Sequence, residues 1–181
     1  MTGTEARLRR LVEVATQLTS TLDLQELLQA IIAATAELLS AESSSILLLD
    51  ESHGELVFKV SSASPELAGT RMPASEGIAG AALASDEPLV ITDVASDPRF
   101  YADIDETAGS RTRNVVAIRL LARDRTLGVL EAINRPVSDL TGDDLEIAKA
   151  LASLATVAID NATMYARLTD AVVTARLSYR L

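Results

Sequence analysis

The chain has 181 residues, a formal net charge of −10 and no cysteine. Its length suits one domain with a core that needs no covalent support, and the absence of cysteine excludes disulfides, thiol nucleophiles and thioether-linked pigments. The negative charge disfavours nucleic acid and anionic membrane surfaces as partners, because both would be repelled.

The N-terminus lacks the basic, apolar and small-residue order of a secretory signal, and no stretch approaches the ~20 apolar residues that span a bilayer. We therefore expect a cytoplasmic protein without a membrane segment.

The first predicted element is a helix over residues 5–21. Its apolar residues recur at alternating spacings of three and four, which gives a narrow stripe typical of a helix that pairs with another long helix. We therefore assign residues 1–22 to an N-terminal signalling and dimerisation helix. Its predicted interface residues are Leu8, Leu11, Ala15 and Leu18.

A second helix is predicted to begin after Asp23 and to end near Leu39. The Asp23 carboxylate can accept the free amides of the first turn, with Glu26 at the capping-box position. Two strands follow at residues 45–50 and 56–61, joined by a tight turn, and residues 62–75 are predicted to form a loop.

The segment of residues 77–98, called the lid here, contains a short alanine-rich helix and a brief strand. Gly77 and Gly80 open the lid, and such spacing is typical of backbone that lies close to another element or a ligand. A long polar loop over residues 97–113 follows. Strands are then predicted at residues 114–121 and 127–134, again as a hairpin.

The last predicted helix begins after Thr141, with Asp144 as its capping partner, and continues without glycine or proline to Leu181. Its apolar spacing alternates between four and three for longer than a globular helix usually extends. We therefore assign residues 166–181 to a coiled-coil extension that pairs with a second copy. The predicted interface residues of this helix are Leu154, Ala158, Asn161, Tyr165, Leu168 and Val172.

Three blocks of sequence resemble the GAF family, the small-molecule sensor domains of bacterial signalling proteins and of phosphodiesterases. They are residues 45–50, residues 77–100 and residues 127–145. The resemblance covers residues 23–165. It implies a single α+β domain with an antiparallel sheet of about six strands, long N- and C-terminal helices on one face and a ligand pocket on the other.

The resemblance also implies a function. We expect a non-catalytic sensory and dimerisation module of a signal-transduction protein, a homodimer that signals through its terminal helices to an effector domain or protein. One alternative is a structural dimerisation adapter without a ligand. Another is a cyclic-nucleotide-binding domain, although Leu140 and Leu145 depart from that subset's signature, which begins at Asn134 and Arg135.

Candidate ligand-binding residues lie on the strands and on the lid. Alternation places residues two apart on one face, but it does not say whether that face meets helices or ligand. Arg113 suits an anion, with pairing to nearby acids as the alternative. Glu131 and Asn134 are polar in an otherwise apolar strand, which suits a pocket wall, with exposure at a sheet edge as the alternative. The full set is Ile46, Leu48, Val60, Ile78, Ala79, Val94, Phe100, Arg113, Val116, Ile118, Glu131 and Asn134.

The sequence offers little for catalysis or metal binding. His53 is the one histidine and falls in a hairpin turn, which disfavours haem and a catalytic triad. The carboxylates of the polar region match no tight ion-binding loop. We predict no catalytic or metal-binding residues, and neither ligand nor cofactor is identified. The carboxylates considered are Asp93, Asp97, Asp103, Asp105 and Glu106.

Overall fold

The computed structural model describes residues 3–109, 111–136 and 140–178. In this part of the chain, long helices cover one face of an antiparallel sheet and short helices cover the other. The α+β prediction is confirmed. The elements in chain order are α1 (Gly3–Ser20), α2 (Leu24–Leu38), β1 (Ser43–Asp50), β2 (Glu55–Ser61), β3 (Arg71–Pro73), α3 (Gly77–Leu83), β4 (Leu89–Ile91), α4 (Ala102–Ala108), β5 (Val115–Ala122), β6 (Arg125–Ile133) and α5 (Gly142–Ser178).

The sheet has six strands in the order β3-β2-β1-β6-β5-β4, and all neighbours are antiparallel. β1 and β6 form its centre, with Ile46 opposite Leu130 and Leu47 opposite Val129. Ile46 and Leu130 pack towards the long helices, whereas Leu47 and Val129 pack on the other side. The central strands therefore divide the core into two layers, because alternate residues of a strand point to opposite faces.

The layer on the helix side joins α1, α2 and α5 to the sheet. Its largest fully buried side chains include Leu28, Ile32, Leu151 and Ile159. α1 takes part because its stripe packs on α2 and α5 of the same chain.

That packing corrects the predicted dimer interface. Leu18 and Ala158 are buried in the domain's own core, and Leu11 and Leu154 pack against it. Ala15 is half-buried. The interface candidates that stay exposed are Leu8, Asn161, Tyr165, Leu168 and Val172. Residues 179–181, to which the last helix was predicted to continue, lie outside the described residues.

Both predicted helix caps are confirmed. The amide of Glu26 donates to Asp23 Oδ1 at 2.8 Å. At the start of α5, the amide of Thr141 donates to Asp144 Oδ2 at 2.8 Å, and the amide of Asp144 donates to Thr141 Oγ1 at 3.3 Å. Such reciprocal bonds satisfy amides that have no partner within the helix.

Asp144 also binds two guanidinium groups. Arg7 Nη2 lies 2.6 Å from Asp144 Oδ1, and Arg135 Nη2 lies 3.2 Å from Asp144 Oδ2. Burial alone would raise the pKa of Asp144, but the Thr141 amide, the Arg7 and Thr141 side chains and the charge of Arg135 together lower it to about 2. This carboxylate thereby fastens α1 and the chain after β6 to the start of α5.

Two segments predicted as loops contain regular structure. Residues 62–75 include the edge strand β3, and residues 97–113 include α4. Both elements are short, and their sequences lack the periodicity that identifies a helix or strand. Nowhere among the described residues is there a helix with the length and apolarity to cross a membrane.

Candidate ligand-binding site

A cavity of about 330 Å³ lies on the sheet face opposite the long helices. Its floor is formed by side chains of the sheet that point away from those helices, and α3, α4 and the loop after β2 surround it. This volume is near the lower end of small-molecule pockets. Floor residues include Leu47, Phe58, Val115, Glu131 and Ile133.

The wall above this floor begins with α3, the helix of the lid. Gly77 has a φ of +73°, a backbone conformation that residues other than glycine rarely adopt. A Cβ on Gly80 would lie 2.8 Å from the carbonyl oxygen of Ala74, so the helix packs directly on the preceding backbone. This packing leaves Ile78 and Ala79 lining the cavity. The two glycines are explained by backbone geometry.

Asn134 organises one edge of the cavity. Its Oδ1 accepts from the amide of Arg113 at 2.7 Å, and its Nδ2 donates to the carbonyl oxygen of Arg111 at 2.9 Å. The side chain therefore fixes the segment that enters β5. Arg113 turns outward to Glu42, with Nη2 2.5 Å from Oε1. Arg113 therefore pairs with a nearby acid, which is the alternative that the sequence analysis gave for it.

Glu131 is the most perturbed acid in the cavity. Burial raises its pKa to about 7, and the negative charge of Asp105 adds to the effect. Among the described residues, no group is recorded as donating a hydrogen bond to its carboxyl. Asp105, by contrast, accepts from the amide and the hydroxyl of Thr112, both at 2.6 Å. Glu131 is thus a half-buried carboxyl that faces the cavity, and the hydrogen bonds of the described residues include none to it.

Six of the predicted binding residues line this cavity and six do not. Those that do are Ile78, Ala79, Phe100, Arg113, Glu131 and Asn134. Val94, within the lid, is buried in the core layer on the cavity side of the sheet but does not line the cavity. The remaining five pack towards the long helices, which corrects their predicted orientation; they are Ile46, Leu48, Val60, Val116 and Ile118.

The sequence prediction missed the serine-rich rim and several apolar wall residues. One signal was available. Glu131 is the one charged residue in the interior of β6, and its neighbours across the sheet are Ser45 and Ala117. Glu131 therefore identifies which face of the sheet meets the cavity. The residues beside it on that face can be named only when the pairing of the strands is known. Missed lining residues include Ser45, Ser61, Ser64, Met72 and Ile104.

His53, the histidine considered for catalysis, has its partners on the turn after β1, away from the cavity. His53 Nδ1 contacts both Asp50 Oδ2, at 2.8 Å, and Ser52 Oγ, at 3.0 Å. One nitrogen cannot relay a proton between them, so this turn is not a catalytic triad. The part of the chain that the structure describes contains no group of three or more side chains suited to a metal ion.

Comparison with known proteins gives a family match over most of the chain. The family model described as "GAF domain" matches residues 23–159. A curated relative, "Probable 3',5'-cyclic phosphodiesterase pde-5" of Caenorhabditis elegans, is 26% identical over 140 residues. That match covers 71% of this chain but 19% of the relative, so the chain spans about a fifth of the relative's length.

Solved structures share the fold at low identity. The GAF domain of a phosphoenolpyruvate-protein phosphotransferase from Coxiella burnetii has a TM-score of 0.82 and 18% identity, covering 92% of this chain and 99% of that one. A free methionine-R-sulfoxide reductase from Neisseria meningitidis, in complex with its substrate, has a TM-score of 0.75 and 21% identity, covering 91% and 95%. At these identities the likeness shows the fold alone.

Proposed function

Because the chain belongs to the GAF domain family, we propose that it is a non-catalytic sensory and dimerisation module of a signalling protein. A small molecule binds in the cavity, and its binding changes the packing of the long helices. Those helices pass the change to an effector domain or a partner protein.

The observation that carries this proposal is the position of β6 between the cavity and the helices. Glu131 lines the cavity, while its sequence neighbours Leu130 and Ala132 are buried in the helix-side core. A ligand that displaces this strand therefore acts on helix packing through adjacent residues. Packed cores tend to switch between discrete arrangements rather than deform gradually, which suits a sensor.

Dimerisation is supported by the second half of α5. The helix is buried up to Ala162, which is 1% exposed, whereas Leu168 is 64% exposed and Val172 51%. With Tyr165, these residues form an apolar stripe at spacings of three and four, a pattern typical of a coiled coil. We propose that the stripe pairs with that of a second copy.

The stripe is tested by paired substitutions on one helix. Leu168→Lys with Val172→Lys should give monomers in light scattering, because lysines would face each other in the seam. Ala166→Lys with Asp170→Lys adds charge on the opposite side of the same helix and should leave a dimer. A wild-type monomer, or an unaffected dimer in the first variant, contradicts the proposed interface.

The proposal includes the absence of catalysis in this domain. The fold itself can host catalysis, since one similar structure is that of a reductase. This chain has no cysteine, and its one histidine does not line the cavity. The cavity instead presents carboxyl groups and apolar side chains, a combination suited to binding.

Ligand binding is tested by native mass spectrometry of freshly purified protein. We expect a retained small-molecule mass in the wild type. Ala63→Trp, at the cavity rim, should lose it, whereas Ala68→Trp on the same loop but outside the lining should keep it. Protein without a retained mass that also binds no added metabolite supports the structural adapter. Binding of cyclic AMP or cyclic GMP would support the cyclic-nucleotide alternative.

A further inference from the structure

We propose that the cavity binds an organic cation, with an ammonium or amidinium group against Glu131 and an apolar body against the lining residues Leu47, Phe58 and Met72. This proposal rests on the ligand-binding function above and names the class of ligand.

Glu131 is a half-buried carboxyl on the cavity floor. A carboxylate removed from water is costly unless a cation or hydrogen-bond donors compensate for its charge. Among the described residues, none is recorded as supplying such a donor, and burial raises the pKa of Glu131 to about 7. A bound cation provides the missing compensation.

The described lining residues include three carboxyl groups and two guanidinium groups, so their net charge favours a cation over an anion. Arg113 donates a hydrogen bond to the carboxylate of Glu42. This bond is the largest cause of the lowered pKa of Glu42. Arg111 is exposed and lines the cavity. The negative charge of Asp105 raises the pKa of Glu131, and the same charge adds to the attraction for a positive ligand.

The same lining favours an organic cation over a metal ion. Calcium takes six to eight oxygen ligands, and the described residues contain no cluster of three acidic or histidine side chains. The cavity instead presents apolar and aromatic surface, which suits a carbon skeleton and can also attract a cation through its π-faces. The aromatic lining residues are Phe58, Phe100 and Tyr101.

The test compares three probes of one shape and different charge: phenethylamine, 2-phenylethanol and phenylacetate. Affinities are measured by calorimetry at about pH 8, where Glu131 is largely ionised. We expect phenethylamine to bind about 10- to 100-fold more tightly than the alcohol, the range for a hydrogen bond to a charged group. Phenylacetate should bind most weakly.

Variants locate the preference. Glu131→Gln keeps the shape of the side chain and should abolish the preference for the amine, while Glu51→Gln, on the exposed turn after β1, should retain it. Asp105→Asn should reduce the preference for the amine, though less than Glu131→Gln does. Circular dichroism of each variant establishes that the fold is retained.

Two outcomes overturn the inference. One is equal binding of the amine and the alcohol, and the other is no binding of the amine to the wild type. Neither outcome by itself removes the proposed sensory function. The sensory function is contradicted by a different result: the native protein retains no small-molecule mass, and Ala63→Trp leaves the binding of every tested ligand unchanged.

Discussion

Replacing Glu131 by glutamine should make the protein more stable, and more so as the pH rises. The folded-state pKa of about 7 lies above the ordinary value of 4.5. Below pH 4.5 the carboxyl is protonated in both states and affects stability little. As pH rises to 7, the unfolded chain ionises first, so the wild type loses stability. At about 1.36 kcal/mol per pKa unit, the loss reaches roughly 3 kcal/mol above pH 7.

The measurement is urea unfolding of both proteins at about pH 5.5 and about pH 8.5. The advantage of Glu131→Gln should grow by roughly 2 kcal/mol between these pH values, with unchanged m-values. Taking the difference between variant and wild type cancels the other titrating groups. Glu51→Gln, on an exposed turn, should show no such growth. A constant difference, or a variant less stable at the higher pH, would refute the burial of a desolvated carboxyl in the cavity.

Two further substitutions test the core. Asp144→Asn should lower the free energy of unfolding at neutral pH by about 3 kcal/mol, because it leaves the buried guanidinium of Arg135 uncompensated, while Asp143→Asn on the exposed side should cost under about 0.5 kcal/mol. The wild type should lose the Asp144 contribution as pH falls from about 4 to about 2, since its folded pKa is lowered from 3.8 to about 2. Gly128→Ala should cost about 3 kcal/mol or more, since a Cβ there would lie 2.0 Å from the carbonyl oxygen of Leu47; an alanine variant of near-wild-type stability would contradict the close approach of β6 to β1.

The features predicted well from sequence depend on local chemistry. Asp23 and Thr141 cap their helices because a carboxylate or hydroxyl at that position can reach amides within three residues. The hairpins follow similarly from short turns between apolar runs. The α+β class follows from the predominance of hairpins with helices grouped against them. The six-stranded arrangement was predicted through resemblance, where the order of several weak motifs carried more information than any one of them.

The features predicted poorly depend on which surface an element meets. β1 is apolar on both faces, so alternation alone could not distinguish Ile46, which faces the helices, from Leu47, which faces the cavity. The stripe of α1 correctly indicated a helix partner, but Leu18 finds that partner within the same chain. A helix that pairs within its own chain and a helix that pairs with a second chain show the same spacing of apolar residues.

The length of α5 has a mechanical consequence. Among the residues of α5 whose burial is described, Ala162 is the last buried one, and the helix continues to Ser178. At a rise of 1.5 Å per residue, the portion beyond Ala162 is about 24 Å long. A tilt of about 5° where this portion begins would move its tip by about 2 Å, comparable with the helix shifts of known switching proteins. In the proposed sensor, this length would convert a small displacement at the sheet into a larger one at the end of the helix.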